Sequence, residues 1–95
     1  RSFGFDLCAF VLVDLAFEGE EHARDAISAL PEVQEMHHIS GPHSYLLKVR
    51  VRDTAAMQDL LQHRIKPLAA VLRTESIVVF ETVKESTELA LDPLP

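Results

Sequence analysis

From Leu7 to Phe17 the chain reads LCAFVLVDLAF, almost wholly apolar and bounded by Gly4 and Gly19. Its length and its β-branched and aromatic residues predict a strand, and apolar residues on both alternations predict cover on both faces. Ala23, Ala26, Ile27 and Leu30 then fall at the i, i+3, i+4, i+7 spacing of a helical stripe. That helix is expected from about Glu20 to Leu30, stopped by Pro31, whose ring disfavours helical geometry in the residue before it. Val33 to Ser40 reads as a second strand. Gly41-Pro42-His43-Ser44 is turn chemistry, and Tyr45 to Val51 alternates cleanly as a third strand. Asp53 is an N-cap for a second helix with Met57, Leu60, Leu61, Ile65 and Leu68 on its buried side, ended by Pro67. Val71 to Val83 is a fourth strand, and Lys84 to Pro95 a loose tail on a single domain spanning residues 1–95.

An offset of 38 residues superposes the two halves: Leu7 on Tyr45, Ile27 on Ile65, Leu30 on Leu68, Val33 on Val71. Two βαβ halves joined by a hairpin make an α+β, ferredoxin-like βαββαβ sandwich with strands one and three central. Two helices cover one face of such an antiparallel sheet and leave the other bare. Strand one sets Cys8, Phe10 and Leu12 against Leu7, Ala9, Val11 and Val13, and strand four sets Ile77 and Val79 against Val78 and Phe80. Apolar side chains therefore fall on the bare face whichever way the strands turn. Hiding five or six of them, at about 1.5–3 kcal/mol each, outweighs the cost of association. The expectation is a homodimer with its interface drawn from Phe10, Leu12, Val11, Val13, Ile77 and Val79. A hairpin closed with Ser40 opposite Tyr45 would pair His37 with Lys48 and Glu35 with Arg50.

Composition narrows the function classes. The chain has 95 residues, a formal charge of −6 and a single cysteine. The acidic balance disfavours contact with phosphate backbones, and one cysteine excludes an intrachain disulfide framework. No apolar run approaches the roughly 20 residues that cross a bilayer, and no signal peptide opens the chain. Arg1 in the first position, in place of Met, points to a segment removed ahead of it.

Candidate chemistry is sparse. His37, His38 and His43 cluster, but neighbours on a strand point to opposite faces, so no metal site is expected. Cys8 reads as a small core residue, and Asp14 at the end of the first strand has no obvious partner. No phosphate loop or nucleophile elbow is present, so neither a catalytic residue nor a cofactor is assigned. The unusual segment is Ser40-Gly41-Pro42-His43-Ser44-Tyr45. Gly41 tolerates a left-handed backbone, and Ser44, with Thr74 and Ser76 on strand four, supplies hydroxyls.

Several stretches resemble, in order and spacing, the C-terminal domain of the Lrp/AsnC (feast/famine) transcriptional regulators. They are Leu30-Pro31-Glu32-Val33, Ile39-Ser40-Gly41, Tyr45-Leu46-Leu47-Lys48-Val49, Thr74-Glu75-Ser76-Ile77-Val78-Val79 and Val83-Lys84-Glu85. The likeness runs from Gly4-Phe5-Asp6 to Leu89. It implies a cytoplasmic regulator domain that dimerises through its sheet, assembles further into octamers, and binds a small amino-acid effector between dimers. DNA would be reached only through an N-terminal helix-turn-helix domain, which is absent from this chain. The family's turn commonly reads Gly-Asp-x-Asp, whose acids help hold the effector. Here Gly41 is kept, but Pro42 and Ser44 stand where the acids would be. The resemblance places the effector at Gly41, His43, Ser44, Thr74 and Ser76. The other reading of the same fold is a small dimeric α+β barrel enzyme, a monooxygenase or isomerase, with His38 and Tyr45 as its acid/base candidates.

Overall fold

A computed structural model describes residues 7–89. Its elements are β1 (Leu7–Leu15), α1 (Glu20–Ser28), β2 (Val33–His38), β3 (Ser44–Val51), α2 (Thr54–Asp59) with a π-helical continuation (Leu60–Ile65), and β4 (Val71–Val78). The strands form one antiparallel sheet in the order β2-β3-β1-β4. This is the ferredoxin-like arrangement, with the most apolar strand in the middle.

The side chains of β1 divide by alternation. Ala9, Val11, Val13 and Leu15 face the helices, as do Tyr45, Leu47, Val49 and Val51 of β3, and all are buried. Ala23 and Ile27 of α1, with Met57, Leu60 and Ile65 of the second helical stretch, close over them. Asp53 caps α2, its Oδ1 accepting from the Ala56 amide at 2.8 Å. The stripe beyond it is not carried by an α-helix throughout. Residues five apart on an α-helix are rotated by about 140°. The wider turn, with the Lys66 amide donating to the Leu61 carbonyl at 2.9 Å, lets Leu60 and Ile65 enter the core together.

The repeat is visible in the hydrogen bonds. The Leu30 amide donates to Ile27 O and the Val33 amide to Leu30 O, at 3.1 and 3.0 Å. Thirty-eight residues on, the Leu68 amide donates to Ile65 O and the Val71 amide to Leu68 O, again at 3.1 and 3.0 Å. Both helices thus hand over to the following strand through the same pair of turns.

Four expectations are corrected. Val11 and Val13 are 0% exposed beneath the helices, so they belong to the subunit's own core and not to an interface. The open face carries Phe10 and Leu12 from β1 and Leu46 from β3, with Ile77, paired to Phe10, 48% exposed on β4. The β2–β3 turn is residues 40–43, closed by the Ile39 amide on Ser44 O at 3.1 Å. This slides β2 by two residues: Glu35 lies opposite Lys48 and His37 opposite Leu46. An even shift preserves the faces, so only the pairs change. β1 stops at Leu15, α1 at Ser28 and β2 at His38, each a turn or less short of expectation. β4 ends at Val78, because pairing reaches the start of β1, with the Val79 amide on Cys8 O at 2.9 Å. Phe80 and Val83 beyond it are 98% and 87% exposed. Asp92-Pro93-Leu94-Pro95 and the opening six residues lie outside the described residues.

Candidate functional site

The β2–β3 turn meets the start of α1 at one end of the sheet. Two residues of the turn have left-handed backbone, Gly41 at φ 120° and His43 at φ 65°. A left-handed conformation at a histidine is unfavourable and persists where its surroundings fix it. The fixing contacts are explicit. The His43 carbonyl accepts from the Leu15 amide at 2.9 Å. Its ring Nδ1 lies 2.7 Å from Glu20 Oε1, and Phe17 meets the ring edge-on at 5.8 Å.

Glu20 is the centre of this cluster. Its second oxygen, Oε2, accepts from the Tyr45 hydroxyl at 2.6 Å, while the Tyr45 ring lies buried under α1 and stacks on His38 at 4.8 Å. Short bonds to a charged acceptor are the strong kind. The phenol donated by Tyr45, and then the His43 ring, hold the Glu20 carboxyl below its ordinary pKa. Reciprocally, the Glu20 acceptor and then burial push the Tyr45 phenol up, with the Arg24 side chain pulling it the other way. Glu20 also occupies the first turn of α1, where a negative charge complements the helix dipole.

A second carboxylate approaches the turn from β1, on the open face of the sheet. Ser44 Oγ donates to Asp14 Oδ1 at 2.8 Å, and Arg73 Nε donates to Asp14 Oδ2 at 3.2 Å. Thus Ser44, Asp14 and Arg73 form one row across three strands. The turn reaches acids on other elements: Asp14 through Ser44, and Glu20 through His43. Neither carboxylate was assigned a role from sequence. Asp14 needs the β1–β3 register before its partner is visible. Glu20 needs the packing of α1 on β3, and its only local signal is an acid in a first helical turn.

The five residues expected to bind an effector are not brought together within one protomer. Gly41, His43 and Ser44 share the turn. Thr74 and Ser76 pair with Val13 and Val11, on the helix side of β4. Thr74 shares a row with Tyr45 across Val13, two strand spacings or about 10 Å away. It lines a separate cleft of about 420 Å³ with Lys66, Val71, Leu72 and Arg73. A larger cleft of about 590 Å³ lies at the start of α1, lined by Phe17, Gly19, Glu20, Glu21, His22 and Arg24. Among the described residues, no group of three His, Cys, Asp or Glu is placed to hold a metal ion. Among them, too, no helix is long and apolar enough to cross a membrane.

Comparison with known proteins bears out the fold. The leucine-responsive regulatory protein of Escherichia coli (strain K12) is 41% identical over 71 residues, covering 75% of this chain and 43% of the relative. The match therefore spans less than half the length of that relative. The structure of E. coli AsnC superposes with a TM-score of 0.81 at 26% identity, over 90% of this chain and 58% of that one. A feast or famine regulatory protein from M. tuberculosis, complexed with L-methionine, gives 0.76 at 32% identity over the same shares. The family described as Lrp/AsnC ligand binding domain matches residues 8–89, nearly the whole described chain, and the protein belongs to it.

Proposed function

We propose that this chain is the effector-sensing and assembly domain of a cytoplasmic transcriptional regulator. It binds a small amino acid beside the turn at residues 40–43 and pairs with a second copy through the open face of its sheet. The observation that carries this reading is the continuity of turn and open face. Ser44, Asp14 and Arg73 form the last row of the face on which Phe10, Leu12, Leu46 and Ile77 lie. A copy covering those side chains sets a subunit boundary next to the turn, so a ligand there favours whichever assembly it contacts better. Thr74 and Ser76 join such a site only across a subunit boundary. The L-methionine complex of the M. tuberculosis relative supports an amino acid as the ligand class. Assembly of dimers into octamers belongs to the same reading, as does DNA contact through a helix-turn-helix domain outside this single-domain chain. No cofactor is assigned.

Calorimetric titration with L-methionine, L-leucine and the remaining amino acids tests the ligand, and light scattering with and without it tests the assembly. Heat with at least one amino acid and a mass that depends on it are expected. Phe10→Glu should leave the fold intact and shift the protein to monomer. A wild-type chain that stays monomeric at high concentration and takes up no amino acid would end the proposal.

The enzyme reading is weaker for a specific reason. His38 and Tyr45 do share a face, and Glu20 supplies Tyr45 with a partner. That partner, and then burial, hold the phenol in its protonated form, which is the reverse of what a catalytic base requires.

A further inference from the structure

We propose that Glu20 is a positioning residue for the effector turn, its carboxylate clamping His43 and Tyr45 at once and locking the turn at residues 40–43 to the first turn of α1. The part of this that concerns ligand rests on the function proposed above; the clamp itself does not.

Three elements meet on one side chain. α1 contributes the carboxylate, β3 the Tyr45 hydroxyl at 2.6 Å, and the turn the His43 ring at 2.7 Å. Tyr45 is buried and fixed in the core, so through it Glu20 is referenced to the rigid sheet. His43 is the opposite: a turn residue in a left-handed conformation that its own backbone does not favour. Glu20 ties the unfavourable conformation to the rigid one. Around the clamp the other charged or titratable groups are His38, stacked on Tyr45, Arg24 beside the Tyr45 hydroxyl, and Asp14, held by Ser44 next to His43. Glu20 also lines the 590 Å³ cleft, so a change in the turn is felt there through one carboxylate.

If the clamp is released, the turn samples other backbone states, and apparent affinity falls by the fraction of time it is correctly formed. Glu20→Ala is the direct test, in the full 95-residue chain. Two readouts need no ligand. Tyr45 is the only tyrosine and the chain has no tryptophan, so near-ultraviolet absorbance reports its phenol alone. Its alkaline titration should move down when the carboxylate acceptor is removed. The Leu15 amide, which donates to the His43 carbonyl, should exchange about tenfold faster, while the core amides of Val11 and Val13 keep their rates. The third readout is calorimetry with L-methionine, whose affinity should fall about tenfold if the turn is formed one-tenth of the time. Tyr45→Phe, which removes one arm of the clamp, should quicken Leu15 exchange by less and serves if the alanine variant does not fold.

An unchanged Tyr45 titration with unchanged Leu15 exchange overturns the clamp. Ligand-free readouts that move while L-methionine affinity stays constant overturn the positioning role. Ligand-free readouts that move in a protein whose wild type takes up no L-methionine leave the clamp standing and remove L-methionine as the effector.

Discussion

The two halves of this domain, residues 7–38 and 44–78, differ most where the candidate site lies. At the offset of 38, Ile27 and Ile65 are both fully buried, and Leu30 and Leu68 both close the same pair of turns. At the same offset Glu20 maps to Gln58, an exposed residue of α2, and Tyr45 maps back to Leu7. The helix starts also differ. α1 begins after Gly19, a left-handed residue that offers no side-chain cap, whereas α2 begins after the capping Asp53. α1 is a regular α-helix, while the second stretch widens into a π-helical turn. Positions that the halves share are those that fill the core. The clamp has no counterpart in the second half, so the repeated core does not require it.

The comparison is tested most strongly at its shared positions. Ile27→Ala and Ile65→Ala should each destabilise the chain by about 2–5 kcal/mol in urea unfolding, since each leaves a cavity in the same core. Similar losses support an equivalent role; a loss at one position several times the other would break the correspondence. The helix starts should diverge in kind. Gly19→Ala places a Cβ on a φ of 85°, costing about 1–2 kcal/mol in backbone strain, because the nearest atom, Ala70 Cβ at 3.5 Å, makes only ordinary contact. Asp53→Ala instead removes the hydrogen bond to the Ala56 amide and should cost about 1 kcal/mol. Substituting Asn at each position separates the two. Asn at 19 recovers part of the Gly19→Ala loss because it tolerates left-handed backbone, and Asn at 53 recovers the cap.

The shared positions are also the ones that sequence could reveal. Apolar spacing, Pro31, Pro67 and the capping Asp53 each act within a few residues, so element order and topology followed from local rules. The faces of β1 follow from alternation, but which face the helices take does not, so residues of both faces, Val11 and Val13 beside Phe10 and Leu12, stand as interface candidates in the sequence alone. The register of β2 depended on where the turn closes. That is set by the left-handed residues Gly41 and His43, and a histidine does not announce such a conformation. The clamp was least legible of all. Glu20 and His43 are 23 residues apart, Glu20 and Tyr45 are 25, and only the packed fold brings them within 3 Å. Gly41, His43 and Ser44 stand out in the sequence because turn chemistry is local; the carboxylates that His43 and Ser44 meet do not.

The smallest expected effect probes the asymmetry itself, through acid titration of Glu20. Its carboxyl is held below the ordinary value of 4.5 in the folded chain, first by the Tyr45 hydroxyl and then by the His43 ring. A depressed folded value means that the unfolded chain binds the proton more readily. The stabilisation is therefore fully present above pH 4.5 and disappears as pH falls through the lower, folded value. Glu20→Gln removes this titration while keeping the side chain's size. Thermal melts from neutral pH into the acid range should show a shallower loss of Tm for Glu20→Gln than for wild type. Gln58→Ala, the matching change in the second half, should leave the acid profile as it was. Parallel acid profiles for wild type and Glu20→Gln would mean that the carboxylate is no better held in the folded chain than in the unfolded one, and the two helix starts would then differ in capping alone.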